Sequence, residues 1–480
     1  MRISEYFSGQ PFPGVTRRIS MVAVMNTPPR GTMRRSLLAS ALLVTLAIPA
    51  TTTNAQGLRA KIDQLFIFGS GEDPLFLAGS GDPNNPQALR VHGAHFVPSA
   101  VTQNGSIIEF LTTAIAGNVS NAPIGSTSGG ETFRFEAGVP VRTSTSAGPI
   151  FAERAQTLGR GRAAVGIGRS TSHFASLRGV DLHSIDLFFT HQNVDFVGCD
   201  ASQGGQSCKL MGVPGFENDI MQFKLNLDIN VEVNSIYATY GLFDNMDVGI
   251  VLPLVSTKLH GRSDAQIIPF GGPTVSHFFA GTATDPVLSA NRDVDGSAFG
   301  LGDVAVRTKL GIRQSERSNL ALLADARFAT GDAEELLGSG HFSARLLGIL
   351  SGRFGAFSPH GNAGYVYRAG GVQNDGILAT VGFDNLLADR VTLAVDLVSE
   401  LQVGHSKLVL PSPVHYDFPF TRTIVPTSIP DVADDIVNGS FGFKFSTDNG
   451  FTIVTNALVP LNRGGLRANV TYTGGLEFSF

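Results

Sequence analysis

Eleven histidines are among the side chains in this sequence that could support catalysis. A serine hydrolase gathers Ser, His and Asp or Asn at one site, and many place the serine in a Gly-x-Ser-x-Gly turn. The sequence has no such turn, and its histidines are scattered, among them His173, His183, His191, His341 and His360. This pattern favours lumen or loop histidines, and we predict that the protein is not an enzyme.

Acidic and glycine-rich segments suggest ligand sites only weakly. Asp431, Asp434 and Asp435, and the Asp-Val-Asp-Gly turn at 293–296, could bind Ca²⁺, but neither has EF-hand spacing. Both therefore favour solvated loops. The Gly-Arg-Gly-Arg run at 159–162 lacks the Lys-Ser/Thr ending of a phosphate loop, which favours a strand entry. We predict no catalytic, cofactor-binding or metal-binding residues, and no cofactor.

Two cysteines, Cys199 and Cys208, lie in a polar, glycine-rich stretch. A disulfide that closes a small loop fits an oxidising compartment. A metal pair is the alternative, since His191 is near, but no zinc-type Cys/His spacing is present. We predict a Cys199–Cys208 disulfide.

Charge and composition exclude several protein classes. Residues 1–55 hold six Arg and one Glu, so the remaining chain has 29 basic and 39 acidic residues. That acidity argues against general nucleic-acid binding. Charged residues are only 16% and hydrophobic residues 42% of the chain, which argues against disorder and against a coiled coil.

An apolar run at 37–50 predicts a signal peptide. It follows Met33-Arg34-Arg35, and small residues precede Gln56. The run is too short to span a membrane as a helix, and a basic start, apolar middle and small-residue end are typical of secretory signals. A buried core helix is the alternative. We predict a signal peptide at 33–55, with 1–32 as a non-native upstream extension.

Period-two alternation recurs throughout the rest of the chain. At 303–313, Val and Leu alternate with Asp, Arg and Lys, and 221–233, 390–403 and 466–480 behave alike. Successive side chains of a strand point to opposite faces, so each segment has one apolar and one polar face. Weaker alternation occupies 161–174, 183–194, 246–260, 318–330, 341–354, 359–369, 375–386, 436–447 and 450–461, and 106–117 is a further candidate.

These segments predict an all-β fold, a transmembrane antiparallel β-barrel of about 12–14 strands. Their lengths exceed ordinary strands and match the 9–11 residues that cross a bilayer. Short junctions alternate with long ones at 195–218, 261–299 and 404–433, as in outer-membrane barrels. A soluble β-sandwich is the alternative. We predict the barrel at 105–480 and an irregular lead-in or plug at 56–104.

Polar faces of the strands supply the predicted lumen lining, where charges of both signs would form ion pairs across strands. The residues are Lys224, Asp228, Glu232, Asp303, Arg307, Lys309, Asp325, Arg327, Arg345, Arg390, Asp396, Glu400, Arg467 and Glu477. The chain ends on Phe480, with alternating apolar residues before it. This ending resembles the signal read by the bacterial barrel-assembly machinery, and we predict that role for Phe480.

An ordered set of short motifs goes beyond a generic barrel. It comprises the segments at 148–155 (Gly-Pro-Ile-Phe-Ala-Glu-Arg-Ala), 240–244 (Tyr-Gly-Leu-Phe-Asp), 247–254, 300–303 (Gly-Leu-Gly-Asp) and 329–332 (Ala-Thr-Gly-Asp). The set resembles the MetA-pathway-of-phenol-degradation family of outer-membrane transporters, over roughly 105–480. Phe243 stands where the family more often has a polar residue.

The resemblance implies a barrel and uptake of hydrophobic compounds. We therefore expect a bacterial outer-membrane channel for passive uptake of small hydrophobic or aromatic compounds. Its partners would be outer-membrane lipid, the barrel-assembly machinery and the solute, with no nucleic acid. The alternatives are a structural or adhesive barrel without transport, and an outer-membrane lipid hydrolase.

Overall fold

A computed structural model describes residues 57–66, 68, 111–115, 117, 133–136, 139–142, 150–190, 220–269, 278–282, 284–371, 373–408, 410, 413–416, 421–447 and 449–480. The signal-peptide prediction and the predicted Cys199–Cys208 disulfide fall outside these residues. Among the described residues, no helix combines the length and apolar character that a membrane span requires.

The chain forms one helix and twenty-one strands in its described part. They are α1 (Leu58–Gln64), β1 (Phe133–Glu136), β2 (Val139–Arg142), β3 (Ala163–Leu177), β4 (Val180–Asp181), β5 (Ile185–Thr190), β6 (Ile220–Phe243), β7 (Met246–Ile268), β8 (Ala280–Thr282), β9 (Asp285–Val287), β10 (Ser289–Leu301), β11 (Ala305–Arg313), β12 (Ser318–Arg327), β13 (Ser343–Gly352), β14 (Phe357–Arg368), β15 (Gly376–Ala388), β16 (Val391–Gln402), β17 (Val414–Tyr416), β18 (Arg422–Ile424), β19 (Ile436–Ser446), β20 (Phe451–Pro460) and β21 (Leu466–Ser479). A further helical turn lies at 111–115.

Twelve of these strands close into an antiparallel barrel. Each pairs with the next in the order β7-β11-β12-β13-β14-β15-β16-β19-β20-β21-β3-β6, and β6 pairs back to β7. Phe480 and Ala163 exchange both backbone hydrogen bonds at the seam between β21 and β3, each at 2.9 Å. The prediction of a 12–14-strand barrel is confirmed.

The two ends of the barrel differ in their connections. Short turns at 244–245, 314–317, 353–356, 389–390 and 447–450 lie at one end, which also holds Ala163 and Phe480. Longer connections lie at the other end, together with one short turn at 461–465. Such asymmetry is typical of outer-membrane barrels.

The wall of the barrel is apolar outside and polar inside. Along β11, Val306, Leu310 and Ile312 are exposed on the outer face, whereas Arg307 and Lys309 are buried on the inner face. β12 repeats the pattern with Leu320 and Leu322 outside. Every backbone group of a closed ring of strands finds a partner, so such a wall can lie in lipid. The exterior is that of a transmembrane barrel.

Strands β6 and β7 extend beyond the long-loop end. Their extensions pair with each other, β5 adds to β6, and β10 adds to β7 from Ser289↔Gln266 to Leu301↔Leu254. We call this four-stranded sheet, with the helix α1 that packs on it, the cap. Gly261 favours close packing here, because a Cβ at this position would lie only 3.0 Å from the side chains of Leu65 and Val294.

Aromatic side chains form the centre of the cap. Phe223 is fully buried, and its ring lies 5.5 Å from those of Phe66 and Phe68 and 4.8 Å from that of Phe189. Burying such rings away from water stabilises the sheet against α1 and the residues that follow it. The cap therefore has a hydrophobic core of its own, on the inner face of the sheet.

Three sequence predictions need correction. The strand predicted at 183–194 is β5, a cap strand rather than a barrel strand. The candidate strand at 106–117 contains a helical turn at 111–115. The predicted long loop at 261–299 contains the end of β7 and most of β10. These strands carry charged residues on a face exposed to water, so their composition is that of a loop.

Candidate functional site

A segment upstream of the first barrel strand lies inside the lumen. In it, Ile150, Ala152 and Ala155 are fully buried, and Glu153 and Arg154 are each 6% exposed. Arg154 Nη2 donates to Asp384 Oδ2 of β15 at 2.7 Å, and the Ala155 amide donates to Ser351 Oγ of β13 at 2.9 Å. We call residues 150–158 the lumen segment.

The lumen segment also bonds to strands β11 and β7. Glu153 pairs with Arg307 at 3.4 Å and with Lys309 at 3.1 Å, both on β11. The Leu158 amide donates to both carboxylate oxygens of Asp247 on β7, each at 3.1 Å. The segment therefore spans the lumen and bonds to four of the twelve strands, through their side chains rather than by strand pairing.

A glycine in the Tyr-Gly-Leu-Phe-Asp motif allows the chain to leave the lumen. Gly241 donates to the Arg162 carbonyl and accepts from the Gly161 amide, both at 2.8 Å. A Cβ at Gly241 would collide with the Gly159 carbonyl. The glycine thus permits the close crossing that leads from the lumen segment into β3.

A cluster of three arginines around one carboxylate lies above the lumen segment. Asp325 Oδ2 accepts from Arg307 Nε at 2.6 Å and from Arg345 Nη2 at 2.9 Å, and Asp325 Oδ1 accepts from Arg327 Nε at 3.3 Å. The Asp325 side chain is fully buried. Such a cluster retains positive charge, because one carboxylate and one contact from Glu153 face three guanidinium groups.

Two further charged groups fill the lumen towards the short-turn end. Lys444 Nζ lies 3.8 Å from Glu477 Oε2, and both side chains are 2% exposed. His360 Nε2 lies 2.6 Å from Asp396 Oδ1, and His360 Nδ1 lies 3.4 Å from Asp384 Oδ1. Buried charges need such partners, since an unpaired ion away from water is costly.

A cavity of about 250 Å³ lies above the lumen segment. Phe151 and Glu153 line it from the segment, and strands on all sides complete it. Its lining is mixed: apolar residues include Phe174, Val231, Val233, Leu323, Leu347, Leu378, Val398, Ile436, Leu458 and Leu466, and charged ones include Arg307, Arg327, Arg345, Glu400 and Arg467. An apolar cavity with a few convergent polar groups is the usual form of a small-molecule site.

Most predicted lumen residues have inward side chains within the barrel. Buried there are Arg307, Lys309, Asp325, Arg327, Asp396, Arg467 and Glu477. Arg345 and Glu400 line the cavity and are less completely buried. The structure joins Arg307, Asp325, Arg327 and Arg345 in one cluster and leaves Arg467 apart from it.

The lumen prediction is wrong for Lys224, Asp228 and Glu232. They lie on the outward face of β6, the face that Ile236 and Tyr240 expose nearer the short-turn end. Glu232 pairs there with Arg169 at 2.7 Å, with both side chains exposed. The cause is that the inner face of this part of β6 is apolar.

Two other predicted residues have different positions. Arg390 is exposed beside the turn at 389–390. Asp303 is buried, and its carboxylate accepts from the Gly331 amide at 3.0 Å and the Ser339 amide at 2.8 Å. Because Thr330 Oγ1 also donates to the Gly302 carbonyl at 2.7 Å, the Gly-Leu-Gly-Asp and Ala-Thr-Gly-Asp motifs bind each other and fix a loop.

Sequence reasoning identified only part of the site. Glu153 and Arg154 belong to the motif at 148–155, but that segment has no periodicity, so its place in the lumen was not predicted. His360 was predicted as a lumen or loop histidine and lies in the lumen. Asp384 and Lys444 were missed, although they lie on strands whose inner faces are small or polar, and that alternation could have identified them. In the described part of the chain, no cluster of three or more His, Cys, Asp or Glu could hold a metal ion.

Comparisons with known proteins give distant similarities only. No family model matches the chain, and no curated protein matches it. An outer-membrane channel from Pseudomonas putida F1 is 11% identical, with a TM-score of 0.37 over 68% of this chain and 98% of that one. The P. putida toluene transporter TodX is 10% identical, with a TM-score of 0.30 over 75% and 97%. A Pseudomonas aeruginosa FadL homologue is 10% identical, with a TM-score of 0.31 over 66% and 89%. These values assign neither a family nor a function.

Proposed function

We propose that the protein is a bacterial outer-membrane channel for passive uptake of small hydrophobic or aromatic compounds. The observation that carries this proposal is the cavity of about 250 Å³ inside a closed barrel, whose lining combines apolar side chains with a few charged ones. The resemblance of the motifs to the MetA-pathway-of-phenol-degradation family supports it. A purely structural barrel would need no such cavity.

The lumen segment obstructs the channel below the cavity and would act as its gate. A solute enters from the long-loop end and occupies the cavity above Phe151 and Glu153. Further movement requires the segment to shift, because it spans the lumen below. Side-chain bonds such as Arg154–Asp384 hold it, so it can move while the barrel hydrogen bonds stay intact.

Solute flux into proteoliposomes tests the proposal. We expect the purified protein to accelerate entry of toluene and phenol over protein-free vesicles. A disulfide between Ala155→Cys and Ser351→Cys should lock the segment, because the Ala155 amide already lies 2.9 Å from Ser351 Oγ. Flux should fall when the pair is oxidised and return on reduction, and each single-cysteine variant is a control.

Other outcomes identify the alternatives. Absence of flux for every solute, with the barrel folded, would reject the channel and favour an adhesive or structural barrel. Release of fatty acid from phospholipid by the purified protein would favour the hydrolase. Outer-membrane lipid and the barrel-assembly machinery remain the proposed partners.

A further inference from the structure

One wall of the cavity carries a buried cation, Arg467 of β21. The residue is 6% exposed and lines the cavity. Its Nη2 donates to the Val437 carbonyl at 2.8 Å and to Asn438 Oδ1 at 2.7 Å. Its Nε has no hydrogen-bond partner. Within the described part of the chain, no carboxylate lies within ion-pairing distance of Arg467.

Arg467 differs in this respect from other inward arginines. Arg154 pairs with Asp384 at 2.7 Å, Arg368 with Glu400 at 2.5 Å, and Arg345 with Asp325 at 2.9 Å. A guanidinium group has five donors and a permanent charge, and burying it without an opposite charge is costly. Among the described residues, then, no side chain supplies the opposite charge for Arg467, and an anion in the cavity can supply it.

Apolar side chains adjoin this cation in the cavity wall. Leu466 and Ala468 flank it in sequence, and Leu458 and Pro460 of the neighbouring strand β20 line the same cavity. A ligand that reached Arg467 would place the rest of its body against this surface. The site thus combines one strong anion donor with a hydrophobic surface.

The opposite wall adds to the positive character of the cavity. Arg307, Arg327 and Arg345 share Asp325 there, and all three line the cavity. With Arg467 they outnumber Glu153 and Glu400, the two carboxylates in the lining. Charges act over longer distances in a cavity with low-dielectric walls than in water. The cavity therefore favours anions over cations of the same size.

We infer that the cavity binds a small monocarboxylate with an apolar body, its carboxylate on the guanidinium of Arg467 and its body against Leu458 and Leu466. Arginine suits this role because its planar fork matches a carboxylate. The inference rests on the proposed channel function and specifies the solute that the cavity prefers: an aromatic or short aliphatic acid binds more tightly than a neutral hydrocarbon.

Calorimetric titration of the purified full chain with benzoate, beside benzyl alcohol as the neutral analogue, tests this inference. We expect benzoate to bind at least roughly tenfold more tightly than benzyl alcohol, the scale of a charge-assisted hydrogen bond. Arg467→Gln should remove that difference, and Arg467→Lys should retain part of it. Arg390→Gln is the matched control, because Arg390 is exposed at a turn, and it should leave benzoate binding unchanged.

Toluene flux through the same variants separates the two proposals. Loss of benzoate binding in Arg467→Gln with toluene flux retained supports the carboxylate site. Toluene flux in the wild type together with equal affinity for benzoate and benzyl alcohol overturns the carboxylate site and leaves the channel standing. Tight benzoate binding that Arg467→Gln does not weaken also overturns it. Absence of flux for every solute overturns the channel itself.

Discussion

Strand β6 passes through two environments, and its pattern inverts between them. In the half near the short-turn end, the outward residues Ile236 and Tyr240 are exposed and apolar, while Ser235 and Thr239 face inward. In the cap half, the inward residues include Phe223, Leu225 and Leu227, and the outward ones are polar. The backbone alternation continues without a break, but the hydrophobic face changes side.

Strand β7 inverts at the same level. Its outward residues are apolar from Ile250 to Leu254 and polar from Ser256 to Gln266, whereas Val255 and Leu259 are buried inside. Leu254 pairs directly with Asn234, where β6 inverts. Because both strands change at one paired position, we infer that the boundary between lipid and water on the outer surface lies at this level.

The comparison separates orientation from polarity. In the barrel wall, the apolar face points outward to lipid, and the charged side chains point into the lumen. In the cap, water surrounds the sheet, so its apolar face is buried against α1, as in a soluble protein. The four predictions that follow test this difference from the largest expected effect to the smallest.

Removal of the central charge in the barrel should have the largest effect. Asp325→Asn leaves Arg307, Arg327 and Arg345 around a neutral group, and breaking a buried ion network costs about 3–5 kcal/mol. The matched change in the cap, Asp264→Asn, removes an exposed partner of Arg262 and should cost less than about 1 kcal/mol. Denaturant unfolding in lipid vesicles measures both, and equal costs would contradict the comparison.

Truncation of the aromatic centre should destabilise the cap and spare the barrel. Phe223→Ala removes a fully buried ring, and we expect a loss of about 3 kcal/mol. Trypsin should then cleave faster at Arg59 and Lys61, while the barrel keeps its compact migration in unheated gels. Phe299→Ala is the control, because that ring is 65% exposed. Unchanged cleavage in Phe223→Ala would show that the cap does not depend on this cluster.

Arginine on the outward face of β7 should distinguish lipid from water. Ile250→Arg places a charge in the apolar band, which costs about 2–4 kcal/mol near the bilayer midplane. Gln266→Arg, on the same face of the same strand, should change the free energy of unfolding by less than about 0.5 kcal/mol. If both variants unfold at the same denaturant concentration, the boundary at Leu254 is misplaced.

A hydrogen-bonded histidine and aspartate on the outer face of the cap should have the smallest effect on stability. His260 Nδ1 lies 2.6 Å from Asp295 Oδ1, and this hydrogen bond raises the pKa of His260 above its ordinary value of 6.5. Because the pKa is raised in the folded state, the stabilisation is present below pH 6.5 and is lost as pH rises through the folded pKa. Both side chains are exposed, so the gain is a few tenths of a kcal/mol.

Titration of His260 by NMR checks this pair. We expect a midpoint above 6.5 in the wild type and a lower midpoint in Asp295→Asn. A midpoint that does not move with Asp295→Asn would assign the raised pKa to the more distant charges of Asp293 and Asp228 instead.

The sequence predicted the barrel because its signal is local. Val306 and Arg307 reveal the two faces of β11 without reference to any other strand, and the alternation on β12, β13, β16 and β21 is equally direct. The facing of Lys224 and Asp228 could not be obtained in this way. An alternating pattern shows that one face of a strand is apolar. Whether that face points into the barrel or away from it depends on whether lipid or water surrounds the strand.

The lumen segment and the arginine cluster depend on contacts far apart in sequence. Glu153 meets Arg307 and Lys309 only because the barrel closes around it. Strand β10 was missed for another reason: its outward Asp293 and Asp295 face water, so the segment has the composition of a loop. In both cases the structure of the segment depends on the strands that it contacts, and these lie far away in the sequence.

The lumen segment also has a topological consequence. Residues 150–158 lie inside the ring of strands, and residues 159–163 leave it at the short-turn end to begin β3. When Phe480 bonds to Ala163, the ring closes directly beside the point at which the chain leaves it. Were the seam between β3 and β21 to form first, the buried side chains of Glu153 and Arg154 would have to enter a closed lumen. Assembly therefore has a preferred order, in which the lumen segment takes its place while that seam is still open.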